Sequence, residues 1–241
     1  MVKASEKPSA QDAPAPRLPG TENLPLIGLV GGVASGKSLV ARQLCDFGDA
    51  LLDADGAGHE VLRLPQVVQA AHKRWGNRVF GSDGQIDRAA LARVVFEPGP
   101  RGSEEREFLE QLTHPCIGQL ISRKAAELTR SESVAALVLD APVMMESGWD
   151  HICDRVAFVD APREVRLARV LARGWSEQDF AAREDVQKSL DAKRARADVV
   201  IDNSGSPEST RAQVERFWHS LIGKFPHDSS AIPGPTRESS A

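Results

Sequence analysis

The chain has 241 residues, of which 41% are apolar and 27% are charged, and its formal net charge is −4 at pH 7. This composition is typical of one globular domain with a sizeable core, and it excludes a nucleic-acid binder held by a general positive field. Three widely spaced cysteines argue against a disulfide framework or a zinc site, and no apolar run approaches the roughly 18–20 residues that span a bilayer. We therefore expect no nucleic-acid or membrane partner. The oligomeric state stays open between a monomer and a small homo-oligomer.

The two ends of the chain differ in composition from the middle. Residues 1–24 are rich in Ala, Pro, Ser and Lys, and residues 224–241 are rich in Pro, Ser and Gly. Such segments bury too little apolar surface to order themselves, so we predict a disordered extension at each end. The first one lacks the apolar stretch of a secretory signal, which makes the cytoplasm the expected location. The folded domain is predicted to span 25–223.

The domain opens with a strand, a turn, a helix and a second strand. An apolar run at 26–30 is followed by glycines, 38–47 shows helical spacing of apolar residues, and a further apolar run occupies 50–52. This order is typical of a parallel α/β sheet with helices on both sides, which is a three-layer α/β/α fold.

The rest of the domain alternates in the same way. Residues from 56 to about 130 have mostly helical spacing, which predicts a helical insertion between two strands. Three further apolar runs predict strands at 135–139, 155–159 and 198–201. Helical patterns follow the last two of these strands, and they predict a final helix at 207–222.

A glycine-rich loop follows the first strand. Residues 31–38 are Gly-Gly-Val-Ala-Ser-Gly-Lys-Ser, which satisfies the P-loop pattern between a strand and a helix. Glycines let successive N–H groups point at phosphate oxygens, and the helix directs its positive dipole end to the same place. We expect Lys37 to reach the β- and γ-phosphates of ATP and Ser38 to bind Mg²⁺. The predicted nucleotide-binding residues here are Gly32, Val33, Ala34, Ser35, Gly36, Lys37, Ser38 and Leu39.

Carboxylates follow two of the predicted strands. Asp53 and Asp55 end the second strand, and strand alternation predicts that they point to the same side. A kinase needs a carboxylate that accepts the proton of the attacking hydroxyl, and others that orient magnesium. The alternative for Asp55 is that it caps a helix. Asp140 ends the third strand, where it fits either a magnesium site or the cap of a turn.

Nine arginines and lysines lie between residues 163 and 196, with acids among them. One interpretation is a solvated helical face. The other is a lid over about 174–196, whose arginines stabilise the charge that develops on a transferring phosphoryl group. Gly174 lies between two helical stretches, where a hinge would suit such a lid.

Taken in order, these elements resemble the dephospho-CoA kinase family over about residues 26–222. Besides the loop and Asp53-Ala54-Asp55, the resemblance depends on short elements in the family's order: Asp87-Arg88-x-x-Leu91, Val95-Phe96, His114-Pro115, Pro142-x-x-x-Glu146, Arg183-x-x-x-Gln187 and Ala197-Asp198-x-x-Ile201-x-Asn203-x-Gly205. Ala34 departs from the pattern, because the family usually has glycine there. A side chain is tolerated at that position if its φ is negative.

The resemblance implies a P-loop kinase with a CoA-facing helical insertion and a helical lid. It implies that ATP, with Mg²⁺, phosphorylates the ribose 3′-hydroxyl of dephospho-CoA to give CoA and ADP. In that reaction Asp55 is the best candidate for the general base, with Asp53 in support and with Lys37 on the phosphates. Arg169 and Arg173 would belong to the lid.

The same resemblance implies the remaining contacts. Asn203 and Gly205 would lie near the adenine. Arg88, His114 and Glu146 would contact the acceptor substrate. For two of them a structural explanation stays open, since His114 beside Pro115 fits a structural histidine and Glu146 fits a surface ion pair.

Two other functions fit parts of the pattern. Another small-molecule P-loop kinase, acting on a nucleoside monophosphate or a sugar acid, shares the loop, the lid and the sheet. An ATP-binding regulatory protein would need the loop but would have little need for Asp55. The Asp53-Ala54-Asp55 element, together with Arg88 and His114 in the insertion, favours the dephospho-CoA kinase over both.

Overall fold

The computed structural model describes residues 17–19, 21, 24–130, 133–141, 144–145, 147–185, 187 and 189–223. Its strands are β1 Leu26–Gly31, β2 Ala50–Asp53, β3 Leu137–Asp140, β4 Arg155–Asp160 and β5 Val199–Asp202. Its α-helices are α1 Lys37–Cys45, α2 Ala54–Val61, α3 Pro65–Trp75, α4 Arg88–Val95, α5 Pro100–Leu128, α6 Arg163–Leu171, α7 Glu177–Asp185, α8 Leu190–Arg196 and α9 Pro207–Ile222. Short 3-10 helices occupy Gly76–Val79 and Trp149–Ile152.

In the described part of the chain, five strands form one parallel sheet in the order β2-β3-β1-β4-β5. The central strand is β1, and the chain visits β2 and β3 on one side of it before crossing to β4 and β5 on the other. Ligands of open α/β sheets bind where the strand order reverses in this way, beyond the carboxyl ends of the strands. The topology therefore predicts a ligand site beyond the carboxyl end of β1.

Successive side chains of β1 enter two different cores. Leu26 and Val30 pack in a cluster with α2 and α5, whereas Ile27 and Leu29 pack in a cluster with α1 and α9. All six residues of β1 are buried, as expected for a strand covered on both faces. The predicted three-layer P-loop kinase fold is thus confirmed.

Helices α2 to α5 form the segment predicted to be a helical insertion. They contain a small core of their own that includes Trp75, Leu91 and Val95. Glu105 on α5 accepts hydrogen bonds from Arg74 (2.9 Å) and from the indole of Trp75 (2.8 Å). This core holds the insertion together beside the sheet, and α5 also contacts β2.

Within residues 1–24, where a disordered extension is predicted, the structure describes 17–19, 21 and 24. Leu18 is buried against the core beside α2 and α5, and the buried hydroxyl of Thr21 donates to the carbonyl of Leu18 at 2.8 Å. Arg17 pairs with Asp154, which also accepts from the backbone N–H of Leu26 at 2.8 Å. One buried leucine and one ion pair fix this segment at the amino end of β1. Apart from Pro19 and Leu24, the other residues of the two predicted extensions lie outside the described residues.

The segment predicted to be a lid contains α7 and α8. Gly174 has φ +81° and ends the turn after α6, where its lack of a side chain permits a left-handed backbone. Helix α8 packs against β1 and β4, and Lys193 on it is only 2% exposed. Of the two helices, α8 therefore belongs to the layer beside the sheet, while α7 contacts α6.

Candidate active site

The carboxyl ends of three adjacent strands form the candidate site. The loop at 32–36 follows β1, while β2 and β3 end at Asp53 and Asp140. These two aspartates are direct partners in the parallel register, and Asp140 is also paired with Leu29 of β1. The sheet thus sets two carboxylates beside the glycine-rich loop, as the sequence predicted.

The loop leads into α1 through Gly36. This residue has φ +103° and caps α1 without any side-chain hydrogen bond, so the first N–H groups of the helix are not covered by a capping side chain. Ser35 closes a turn by donating its N–H to the carbonyl of Gly32 at 3.1 Å. Lys37, Ser38 and Leu39 form the first turn of α1. This arrangement matches a phosphate-binding helix N-terminus.

Ala34 occupies a left-handed backbone conformation, with φ +57°. The condition under which a side chain would be tolerated, a negative φ, is therefore not met. An L-residue in this region pays roughly 1–2 kcal/mol for the approach of Cβ to the following carbonyl oxygen. The loop is held in this conformation by contacts with other elements.

Arg169 and Asn203 supply those contacts from behind the loop. Arg169 on α6 donates to the carbonyls of Ala34 (3.2 Å) and Ser35 (3.1 Å), and to the carbonyl of Asn203 at 2.7 Å. The side-chain amide of Asn203 donates to the carbonyl of Ser35 at 2.7 Å. Asn203 is 3% exposed, so its amide serves the loop backbone. Gly205 lies two residues further along, in the loop after β5.

The structure corrects the geometry expected for Asp53 and Asp55. They do not share a strand face, because β2 ends at Asp53 and α2 begins at Ala54. Asp53 is the N-cap of α2, where its side chain accepts from the N–H of Gly56 at 2.9 Å. The capping role considered for Asp55 thus belongs to Asp53. Asp55 lies in the first turn of α2 and its side chain is 64% exposed.

Four charged groups interact at this edge. Burial raises the pKa of Asp140 above its ordinary value, the positive charge of Lys37 opposes that shift, and Asp53 and Asp55 add to it. The Oδ1 atom of Asp140 is buried and has no hydrogen-bond partner among the described residues. The geometry thus brings together Lys37, Asp53 and Asp55, three of the four residues predicted to be catalytic, and adds Asp140.

Helix α5 runs beside α2 in the same direction. A β-carbon on Gly58 would contact Ile117 at 3.8 Å, and Lys124 pairs with Glu60 at 3.0 Å. His114 lies one turn before Ile117, which places it on α5 towards the end of α2 that carries Asp55. The His59 side chain also lies near this end, with Nε2 4.0 Å from Oδ2 of Asp55.

Two other predicted site residues, Arg88 and Arg173, make no hydrogen bond or ion pair with this group among the described residues. Arg88 is the exposed first residue of α4, and Arg173 is exposed in the turn after α6. Neither side chain hydrogen-bonds to the loop within the described ranges. Glu146 lies outside the described residues.

Sequence patterns missed a second arginine behind the loop. Arg166 is 3% exposed and donates to Glu184 on α7 at 2.5 Å, to the carbonyl of Ala161 at 3.0 Å and to that of Val33 at 3.4 Å. The spacing of the arginines could have indicated this role, because arginines three residues apart on α6 lie on one face of the helix. A cavity of about 200 Å³ lies beside the loop, lined by Gly32, Val33, Glu184, Asp185, Gln187, Ser189 and Leu190.

None of the described helices is long and apolar enough to cross a membrane. Within the same part of the chain, no cluster of three or more His, Cys, Asp or Glu side chains is arranged to hold a metal ion.

Comparisons with known proteins identify the family of the chain. The family model "CoaE: Dephospho-CoA kinase" matches residues 25–209. A dephospho-CoA kinase of Symbiobacterium thermophilum is 43% identical over 202 residues, covering 82% of this chain and 82% of the relative. One of Carboxydothermus hydrogenoformans is 41% identical over 194 residues, covering 79% of this chain and 91% of the relative.

Solved structures share the fold. The crystal structure of TT1252 from Thermus thermophilus has a TM-score of 0.70 and 32% identity, and the match covers 83% of this chain and 99% of that one. The dephospho-CoA kinase from Campylobacter jejuni has a TM-score of 0.53 and 23% identity, over 81% of this chain and 96% of that one, which bears on the fold alone. With its family model matched over most of its length, this chain belongs to the dephospho-CoA kinase family.

Proposed function

We propose that the protein transfers the γ-phosphoryl group of ATP to the ribose 3′-hydroxyl of dephospho-CoA, with Asp55 as the general base. The observation that supports this assignment is the position of Asp55. It is an exposed carboxylate at the carboxyl edge of the sheet, close enough to Asp140 to raise the pKa of that buried acid. Family membership supports dephospho-CoA as the acceptor, and the exposed carboxylate at this edge supports Asp55 as the base.

The loop residues fit a triphosphate. The cap of α1 carries no side chain, so the helix N-terminus is accessible to an anion. A β-carbon on Gly32 would lie 2.9 Å from the guanidinium of Arg166, and one on Gly36 would overlap the amide of Asn203, so both glycines are needed for this loop shape. In the proposal, backbone N–H groups of residues 32–39 and the ammonium of Lys37 hold the phosphates.

The residues next to the loop also fit Mg²⁺. Ser38 offers an exposed hydroxyl in the first turn of α1, and Asp140 offers a buried carboxylate oxygen without a partner among the described residues. Hard oxygen donors of this kind suit Mg²⁺, which would neutralise charge on the phosphates. We propose Ser38 and Asp140 as the side chains that hold it.

In the reaction, Asp55 accepts the proton of the ribose hydroxyl as that oxygen attacks phosphorus. Asp53 supports it by capping α2, which fixes the backbone of the turn that carries Asp55. Lys37 balances the charge on the transferring group. Arg173 in the lid remains our candidate for a further positive charge on that group.

Other residues are proposed as acceptor contacts. Arg88, His114 and Glu146 would contact dephospho-CoA. Of these, His114 has the best structural support, because it lies on α5 one turn before Ile117, which packs against Gly58, the residue three positions after Asp55. Asn203, which contacts the nucleotide loop, and Gly205, two residues after it, are proposed to lie near the adenine. The cytoplasm remains our expectation for where the reaction takes place.

A coupled ADP-release assay with Mg-ATP tests the function. We expect turnover with dephospho-CoA and none with AMP, CMP, gluconate or no acceptor. Replacing Asp55 by Asn should lower kcat roughly 10²–10⁴-fold, since a positioned base contributes that much. Glu60→Gln is the matched control, because Glu60 is an exposed acid on the same helix that pairs with Lys124 at 3.0 Å.

The outcomes separate the alternatives. Turnover on another acceptor would retain a P-loop kinase but refute dephospho-CoA as the substrate. Normal kcat for Asp55→Asn would refute the assignment of the base, and ATP binding without turnover on any acceptor would favour a regulatory role.

A further inference from the structure

Carbonyl groups of the nucleotide loop (residues 32–36) point away from the phosphate side and accept hydrogen bonds from neighbouring side chains. At Ala34 and Ser35 these carbonyls point at Arg169 and Asn203, as their hydrogen bonds require. Because a peptide bond is planar and trans, an outward carbonyl at Ser35 directs the N–H of Gly36 to the opposite side. A group that fixes the Ser35 carbonyl therefore also fixes the direction of the Gly36 N–H, which would donate to a phosphate oxygen.

Asn203 fixes that carbonyl only in one of the two orientations of its amide. With Nδ2 towards the loop it donates to Ser35 at 2.7 Å, whereas the flipped amide would set oxygen against oxygen. The amide is 3% exposed and packs directly on Gly36, where a β-carbon would overlap Nδ2. Water has little access to this contact, so only neighbouring protein groups can stabilise one orientation of the amide over the other.

Thr210, in the first turn of α9, is that neighbour. Its hydroxyl is 2.9 Å from Oδ1 of Asn203 and 3.3 Å from the carbonyl of Ser206, and the residue is fully buried. When the hydroxyl donates to Oδ1, the amide nitrogen must face Ser35. Arg169 strengthens the same arrangement from the other side by donating to the carbonyl of Asn203.

We propose that Thr210 is a positioning residue for ATP: its hydroxyl sets the orientation of the Asn203 amide, which in turn holds the nucleotide loop in its phosphate-binding shape. The proposal deepens the proposed function and concerns the same loop. Thr210 itself touches no substrate in this scheme. Its effect should therefore appear in ATP affinity and leave the affinity for the acceptor unchanged.

The test removes the hydroxyl while keeping the shape of the side chain. We expect Thr210→Val to weaken binding of the ATP analogue adenylyl imidodiphosphate, with Mg²⁺, about tenfold by calorimetry, because Oδ1 of Asn203 is left unpaired and buried. The KM for ATP should rise with it, and the KM for dephospho-CoA should not change. Thr210→Ser restores the hydroxyl and should restore the affinity.

Thr21→Val is the matched control. Thr21 is equally buried and its hydroxyl also donates to a nearby carbonyl, but it lies before β1, at the opposite edge of the sheet. We expect this variant to lose stability to a similar degree while binding the analogue normally.

The proposal is overturned if Thr210→Val binds the analogue as the parent protein does, if Thr210→Ser binds as weakly as Thr210→Val, or if Thr21→Val weakens binding equally. Should Thr210→Val melt below the assay temperature, Thr210→Ala allows the same comparison, and normal affinity in that variant overturns the proposal. Binding of the analogue needs no acceptor, so this experiment tests the role of Thr210 even if the protein does not phosphorylate dephospho-CoA.

Discussion

At the scale of single residues, the loop shows how a small departure from a family pattern is absorbed. Ala34 adopts φ +57°, where glycine costs nothing and alanine is strained. The strained peptide is held by Arg169, whose guanidinium bonds the carbonyls of residues 34 and 35. Hydrogen bonds from a neighbouring helix thus maintain a backbone conformation that the local sequence disfavours.

Replacing Ala34 by Gly should stabilise the protein. Relief of the left-handed strain should raise the free energy of unfolding by about 1–2 kcal/mol. The extra conformational freedom of glycine in the unfolded chain should lower it by about 0.4–1 kcal/mol. We expect Tm to rise by about 2–4 °C, measured by circular dichroism.

Ala212→Gly provides the opposite control for that substitution. Ala212 is an exposed residue within α9, where glycine should lower stability by about 1 kcal/mol. A lower Tm in both variants would contradict the argument from φ at Ala34.

At the scale of elements, α7 is tied to α6 through one carboxylate. Glu184 accepts from Arg166 at 2.5 Å and from Arg163 at 3.3 Å. The fully buried ring of Phe180 lies beneath both guanidinium groups, at 5.4 Å and 5.2 Å from its centroid. Because Arg166 also reaches the carbonyl of Val33, the position of α7 is coupled to the nucleotide loop.

We predict that Glu184→Gln loosens α7. The variant keeps the shape of the side chain and removes its charge, which leaves the buried Arg166 without a charged partner. Hydrogen–deuterium exchange measured by mass spectrometry should speed up in α7 by roughly tenfold, with α9 unchanged.

Glu177→Gln is the control on the same helix. Glu177 and Arg163 are 3.7 Å apart with side chains 64% and 52% exposed, and such surface pairs contribute about 0–1 kcal/mol. Equal exchange rates of α7 in the two variants would argue against a special role for Glu184.

Much of this element structure follows from local sequence patterns. The strands and the phosphate loop were predicted because buried strands are short apolar runs and the loop has a fixed spacing. The roles of Asp53 and Asp55 were harder to predict from the sequence, because the exact end of β2 decides which aspartate caps α2. Arg166 and Thr210 were missed since their loop contacts depend on how α6 and α9 pack, which periodicity does not specify.

At the scale of the whole molecule, α9 is attached to the junction of α1 and β2 by a buried acid. Asp49 is 6% exposed and accepts from the indole of Trp218 at 3.0 Å. Burial raises its pKa from 3.8 to about 7, against the opposing hydrogen bond of Trp218. The folded state therefore holds a proton at Asp49 that the unfolded state releases at much lower pH.

This raised pKa makes global stability depend on pH. The stabilisation is complete below pH 3.8 and is lost as pH rises through about 7, because only the folded state favours the protonated acid. We expect the free energy of unfolding in urea to fall between pH 5 and pH 8 by about 2–3 kcal/mol more in the parent protein than in Asp49→Asn.

Asp46→Asn is the comparison for that experiment. Asp46 lies in the same junction, but its side chain is 54% exposed and pairs with Arg211 at 2.5 Å. The Asp46→Asn variant should retain the pH dependence of stability that the parent shows. If the stabilities of Asp49→Asn and the parent fall equally between pH 5 and pH 8, Asp49 does not control this pH dependence.

The two ends of the described chain meet the same edge of the sheet. Arg17 and Leu18 are fixed beside Asp154, just before β4, and the last turns of α9 lie against Phe47 and Asp49, just before β2. Both places are at the amino ends of the strands, whereas ATP would bind at the carboxyl ends. A sensor chip that holds the protein by the surface around Arg17 or around the last turn of α9 would therefore leave the nucleotide edge facing the flowing solution.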